Sequence, residues 1–270
     1  MEETKTENSV IEERLSKVKN KIVVLSGKGG VGKSTFAVNF AASLVQEGFK
    51  VGLLDADIHG PSIPTMLGIR NEQPVAEDGV ISPVNVDGIK VMSIGFLLMG
   101  QDDPVIWRGP MKMNMIKQFL QDVDWGELDY LVIDCPPGTG DEPLSVIQLI
   151  SDSTGAVVVT TPQEVAASDV RKSLNFCRQL KLDVLGVVEN MSGFVCPHCQ
   201  TVTDIFKKGG GKVMAEKFHV PYLGSIPIDP SIGISGDDGT PFVTRYAGSA
   251  SHQAFGEIVK NVNKSDKIRK

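Results

Sequence analysis

Five strand-length runs constrain the fold of this chain more than any other feature: KIVVLSG (21–27), KVGLLDAD (50–57), LDYLVIDCP (128–136), GAVVVTTP (155–162) and LDVLGVVENM (182–191). Valine, isoleucine and leucine follow one another in them with little polar alternation, the pattern of strands covered on both faces. Helix-length segments lie between them, among them 34–46 and 165–180. In the latter, Val170, Leu174, Cys177 and Leu180 recur at spacings of three and four, so one stripe is buried and Cys177 reads as a small core hydrophobe. Alternating strands and helices require right-handed crossovers. The predicted fold class is α/β: a doubly wound, mainly parallel sheet with helices on both faces, in a single domain.

Two regions break the rhythm. Between His59 and Lys90, Pro61, Pro64, Pro74 and Pro83 and the pairs Asp78-Gly79 and Asp87-Gly88 predict a loop and a short hairpin. Residues 194–211 predict a mobile, cysteine-containing insertion that ends in three glycines. Residues 1–20 are polar and read as an N-terminal extension, 21–264 as the domain, and 265–270 as a basic tail.

With 270 residues, 41% of them hydrophobic, the chain has enough apolar surface for one sizeable core. A net charge of −6 gives no global electrostatic footprint for nucleic acid. No uncharged apolar run reaches the roughly 18 residues that suggest a membrane span, and the polar start carries no export signal. With only Cys135, Cys177, Cys196 and Cys199 as thiols, the expected compartment is a reducing cytoplasm. Neither a nucleic-acid partner nor a membrane is expected.

After the first run comes GKGGVGKST: Gly27, Lys28, Gly29, Gly30, Val31, Gly32, Lys33, Ser34 and Thr35. Gly27, Gly29 and Gly32 satisfy G-x-G-x-x-G, and Asp55 stands where a dinucleotide site keeps its ribose-binding acid. The same residues satisfy G-x-x-x-x-G-K-[ST]. Lys33 and Ser34 decide between the two, because a triphosphate needs a cation at its β/γ-phosphates and a hydroxyl on Mg²⁺, whereas a dinucleotide needs neither. A carboxylate at the end of a neighbouring apolar strand is also required, and Asp134 supplies it. Lys28 is superfluous for binding within one chain. It reads either as a solvated loop lysine or as a cation directed at phosphates on another copy.

The stretch MSGFVCPHCQ (191–200) poses a different problem. Cys196 and Cys199 form a C-x-x-C pair, but a tetrahedral metal or an iron–sulfur cluster wants four ligands, and the chain has no second pair. Zinc, an iron–sulfur cluster and a redox pair all remain open on these residues alone.

KGGVGKS resembles the deviant Walker A loop of the MinD/ParA/nitrogenase-iron-protein superfamily. WGELDYLVIDCPPGTGDE (125–142) is similar to the signature of the Mrp/ApbC-type iron–sulfur cluster carriers within it, as are DADIHGPSIP (55–64), WRGPM (107–111), TTPQEVAASDVRK (160–172), VVENMS (187–192) and CPHC. Lys207 stands where those carriers usually have glycine. The resemblance covers most of residues 21–246 and implies an ATPase that works as a homodimer. Backbone N–H groups from Gly29 to Thr35 would cradle the phosphates, and Lys33 would neutralise charge on the γ-phosphate. Ser34 and Asp134 would hold Mg²⁺, with Asp55 as an outer partner. Asp57 would position the attacking water, Gly138 would sense the γ-phosphate, and Asn190 would read the adenine edge. Lys28 would act across the dimer. A two-fold axis at CPHC would bring four thiolates together from two chains, making a [4Fe-4S] cluster that separation of the subunits releases to apo iron–sulfur proteins. Zinc remains possible at the same thiols. The rival implied by the wider superfamily is a MinD/ParA-like switch that positions itself on membrane or DNA. It would need an amphipathic C-terminal helix, for which Phe255, Ile258, Val259 and Val262 have the spacing, or a basic patch.

Overall fold

The computed structural model describes residues 2–58, 60–97, 109–150, 153–196, 198–199 and 201–269, and all side chains among them except those of 2–8, 109–110, 112 and 164–167. His59, Trp107, Arg108 and Pro197, which the motifs above include, lie outside the described residues.

The five apolar runs are the centre of one sheet. They form β1 (Val18–Leu25), β2 (Val51–Asp55), β7 (Leu128–Asp134), β8 (Gly155–Thr160) and β9 (Val184–Glu189), all parallel. Between β2 and β7 lie β3 (Val75–Glu77), β4 (Val80–Ser82), β5 (Val84–Val86) and β6 (Ile89–Ser93), and β12 (Tyr222–Ser225) follows β9 later in the chain. Among the described residues the sheet has eight strands in the order β12-β9-β8-β1-β7-β2-β6-β5, of which only β5 is antiparallel to its neighbour. Strand order reverses at β1, and in sheets of this kind the crevice at the carboxyl end of the reversal is where ligands bind. The expected α/β class and mainly parallel sheet are both present. Helices α2 (Lys33–Gln46) and α6 (Glu164–Gln179) form within a residue or two of their expected bounds, and Cys177 is fully buried.

Register brings the acids to the loop. Pairing of β1 with β7 sets Val24 beside Asp134, and pairing of β2 with β7 sets Asp55 beside Asp134. The segment after β1 and the carboxylates ending β2 and β7 therefore share one edge of the sheet.

The ends and the interruptions differ from expectation. Residues 1–20 are not merely an extension: α1 (Glu2–Leu15) buries Ile11 and Leu15, and β1 starts at Val18. The wholly buried Lys21 ammonium donates to Leu15 O at 2.9 Å, satisfying a carbonyl at the end of α1. The basic tail is tied down as well. Ile268 is buried, and the Asn20 side chain donates to Arg269 O and accepts from Arg269 N. Within 59–90 there are two hairpins, β3–β4 and β5–β6, turning at the two Asp-Gly pairs. The second delivers β6 to the main sheet. That strand escapes a search for continuous apolar runs because Lys90 interrupts it, its stem half-buried and its ammonium on Trp125 O at 2.7 Å. Of the three glycines, Gly209 ends the loop as the cap of α7 (Gly210–Phe218), and Gly210 and Gly211 begin that helix. In α10 (Ala250–Asn263), Phe255, Ile258, Val259 and Val262 are all at most 1% exposed, so the apolar face a membrane switch would need is spent on the core. No helix among the described residues is long and apolar enough to cross a membrane.

Candidate functional site

The loop from Gly27 to Gly32 leaves β1 and runs directly into α2, whose first N–H groups face the loop's mouth. Two of its glycines are dictated by close approach. A Cβ on Gly27 would lie 2.4 Å from Asp169 O of α6, and one on Gly32, which has φ +82°, would lie 2.3 Å from Asn190 Nδ2. The cavity in front has a volume of about 200 Å³ and is lined by Lys28, Gly29, Lys33, Ser34, Asp57 and Pro137 among others.

Lys33 is 6% exposed. Its Nζ lies 2.6 Å from Asp134 Oδ1, 3.5 Å from Asp57 Oδ2 and 3.3 Å from Ser34 Oγ. Burial pulls its pKa down, but the Asp134 and Asp57 carboxylates more than offset that, and the ammonium is held above its ordinary value. Burial pushes the Asp134 carboxyl up while Lys33 opposes the push. Among the described residues nothing hydrogen-bonds the buried Asp134 Oδ2, an orphan acceptor that a hydrated divalent cation would satisfy. The residues present therefore suit Mg²⁺: Asp134 and Ser34 are hard oxygen donors beside a phosphate cradle.

Asp55 is fully buried and already has a task. Its carboxylate accepts from Asp57 N at 3.2 Å, Ile63 N at 3.3 Å and Ser93 Oγ at 2.9 Å, which fixes the loop into α3 (Ile63–Met66). Burial first and the Asp134 carboxylate second push its pKa up to about 8. An unfolded aspartate titrates near 3.8, so between these values the folded state holds a proton that the unfolded state lacks, and stability falls as pH rises through that window. Asp55→Asn is neutral throughout, but its amide NH₂ replaces an accepting oxygen opposite Asp57 N or Ile63 N, a cost that does not vary with pH. In nucleotide-free buffer the melting temperature of the variant relative to wild type is therefore expected to rise by about 4 °C or more between pH 4 and pH 8. A difference that stays constant over that range would mean that the carboxylate is stable at pH 8 as an ion.

The remaining positions are placed as follows. Lys28 is half-buried at the rim, its carbonyl accepting from Ser26 Oγ. Gly138 N donates to Ser26 O at 2.8 Å, so the loop after β7 is bonded to the root of the phosphate loop. Asn190 sends its amide to Val31 O at 2.9 Å, bracing the loop from behind. Ser26 and Asp169 escape sequence reasoning altogether, since a serine before a glycine and an acid inside a helix carry no local signal.

The cysteines sit elsewhere. β10 (Phe194–Val195) and β11 (Val202–Thr203) form a short ribbon with CPHC between them. Cys196 is half-buried, and its N donates to Thr201 O at 3.0 Å; Cys199 is exposed, with Sγ 3.2 Å from Thr201 Oγ1. The Thr201 side chain, its backbone and the Cys196 thiol hold Cys199 below its ordinary pKa, which favours the thiolate that metals and electrophiles require. Cys135 and Cys177 are buried, and burial pushes both thiols well up. Among the described residues no group of three or more His, Cys, Asp or Glu side chains is placed to hold a metal ion.

A glycine-lined turn between a parallel strand and a helix, its lysine facing a buried strand-end carboxylate, defines a phosphate-loop nucleotide-binding protein. More narrowly, the chain belongs to the family described as ParA: NUBPL iron-transfer P-loop NTPase, whose profile matches residues 17–263. It is 53% identical over 257 residues, 95% of this chain and 88% of the relative, to a protein of Methanocaldococcus jannaschii named iron-sulfur cluster carrier protein. A nucleotide-binding protein from Archaeoglobus fulgidus, solved in complex with ADP, superposes with a TM-score of 0.77 at 42% identity, covering 91% of this chain and 98% of that one. The cell division ATPase MinD of Pyrococcus furiosus shares the fold, with a TM-score of 0.65 at 24% identity, covering 91% and 99%.

Proposed function

We propose that this chain is a cytoplasmic ATP-hydrolysing carrier that holds a [4Fe-4S] cluster between two copies of itself and delivers it to apo iron–sulfur proteins. The observation that carries the reading is the pairing of a complete phosphate loop with two solvent-reaching thiols, Cys196 and Cys199, that have no third protein ligand beside them among the described residues. A second copy related by a two-fold axis completes the set of four. The carrier named in Methanocaldococcus jannaschii and the ADP complex from Archaeoglobus fulgidus support the two halves of the proposal.

The residues act as follows. N–H groups from Gly29 to Thr35 receive the phosphates, and Lys33 exchanges its contact with Asp134 for the β/γ-oxygens. Ser34 and Asp134 would hold Mg²⁺, with Asp55 behind them, and the bound ion would supply charge neutralisation on the phosphates. Asp57 orients the attacking water, and the partner's Lys28 stabilises charge in the transition state. Asn190 turns from Val31 to the adenine edge. Gly138 N leaves Ser26 O to bond the γ-phosphate, so hydrolysis releases the loop after β7.

Anaerobic reconstitution tests the proposal. Wild type is expected to take up about four irons per two chains and run as a dimer when loaded. Incubation with an apo [4Fe-4S] enzyme is expected to restore that enzyme's activity. Cys196→Ser and Cys199→Ser are expected to lose both properties while still binding ATP, since neither thiol touches the phosphate loop. About one zinc per dimer with no uptake of iron would replace the cluster by zinc. Cluster bound to a monomer would overturn the shared site.

A further inference from the structure

The end of β9 touches both of the regions that the proposed function joins. Glu189 is 1% exposed, and its carboxylate accepts from Ser192 Oγ at 2.6 Å, from Gly209 N at 3.0 Å and from Gly211 N at 2.7 Å. Ser192 lies two residues before the cysteine ribbon, and Gly209 and Gly211 lie six and eight residues after it, where the chain enters α7. One buried carboxylate thus ties together both roots of the ribbon. It also sits at the N-terminus of α7, where unpaired N–H groups and the helix dipole favour a negative charge.

The next residue faces the other way, with the Asn190 amide on Val31 O of the phosphate loop. Between Asn190 and Ser192, which are both hydrogen-bonded, Met191 occupies the left-handed region at φ +57°, an uncommon conformation for a residue with a side chain. Such backbone persists only where its surroundings determine it, and here hydrogen bonds on both sides do so. Ser192 N adds one more, to Ile226 O at 2.9 Å.

We propose that Glu189 is a positioning residue that transmits the nucleotide state of the phosphate loop to the cysteine ribbon. A change at the Asn190–Val31 contact turns the backbone at Met191, and the turn moves Ser192. The buried carboxylate carries that movement to Gly209 and Gly211, because breaking a buried charged hydrogen bond costs more than shifting with it. The two sites are then coupled through a short bonded segment rather than through the whole sheet. This deepens the carrier reading and rests on it, but its test uses the thiols without any cluster.

The measurement is the alkylation rate of Cys196 and Cys199 by iodoacetamide in reduced, iron-free, full-length protein, with and without Mg²⁺ and a non-hydrolysable ATP analogue. The buried Cys135 and Cys177 report on unfolding. In wild type the analogue is expected to change the rate at Cys199 about fivefold or more. Glu189→Gln keeps the size of the side chain but presents an amide NH₂ to N–H donors; its ratio is expected to fall close to one while affinity for a fluorescent ATP analogue stays within about twofold of wild type. A merely structural role would lower stability and leave the ratio untouched. Ser192→Ala removes only the 2.6 Å bond and is expected to give an intermediate ratio, so it decides the matter if Glu189→Gln does not fold. A wild-type ratio in whichever variant folds, or no nucleotide effect in wild type, would overturn the relay; iron uptake by wild type would then still stand or fall on its own.

Discussion

Lys33→Ala is expected to lower ATP turnover by about a hundredfold or more and to remove saturable nucleotide binding. The ammonium is the buried cation facing both Asp134 and Asp57, and the backbone N–H groups around the loop cannot replace a full charge on the β/γ-phosphates. The substitution has a second consequence, independent of nucleotide. It leaves Asp134 buried with no opposing charge among the described residues, so the nucleotide-free variant is expected to lose about 3 kcal/mol at pH 8. That loss shrinks as pH falls and Asp134 takes up a proton, since the variant's folded-state pKa lies further above the unfolded value than in wild type. Isothermal titration with ATP and urea unfolding at two pH values measure the two effects separately. Turnover at the wild-type rate would remove the phosphate-loop assignment.

The second large effect concerns a residue whose own loop does not need it. Asp57→Asn is expected to bind ATP normally and hydrolyse it about a hundredfold more slowly, because the amide cannot position or polarise the water as the carboxylate does. Lys28→Ala is expected to show the same pattern, binding retained and turnover lost, but for a different reason: the missing cation belongs to the opposite site. Mixing the two variants separates these causes. A heterodimer has one site with its own Asp57 and the partner's Lys28, so random exchange of subunits is expected to restore about a quarter of wild-type activity. No recovery after exchange is verified by mass would place the action of Lys28 within its own chain or nowhere.

What was legible in the sequence is what short-range physics writes locally. A strand buried on both faces is apolar at most positions, so the five central strands stand out even though β1 buries Asn20 and Lys21. The phosphate loop stands out because its backbone needs glycine at fixed offsets and its chemistry needs Lys33 and Ser34. The hairpin turns at Asp78-Gly79 and Asp87-Gly88 are local for the same reason. β6 is buried at every position but Lys90, which breaks its apolar run, and β12 is short and only partly buried, which is why both read as connections. Residues 1–20 and 265–270 looked like polar appendages because their anchors are single side chains, Ile11, Leu15 and Ile268, within charged surroundings.

The sequence by itself determined the class of fold, the phosphate-binding loop with its paired lysines and strand-end acids, and the C-x-x-C pair that one chain leaves incomplete. Tertiary structure alone decided which groups meet. Lys33 and Asp134 are 101 residues apart and come within 2.6 Å only because β1 and β7 pair in one register. The same is true of Gly27 against Asp169, of Asn190 against Val31, and of Glu189 against the two roots of the ribbon. Residue patterning reports what each segment must bury. The partner that satisfies a buried charge or N–H is set by strand register and helix packing, which no single segment encodes.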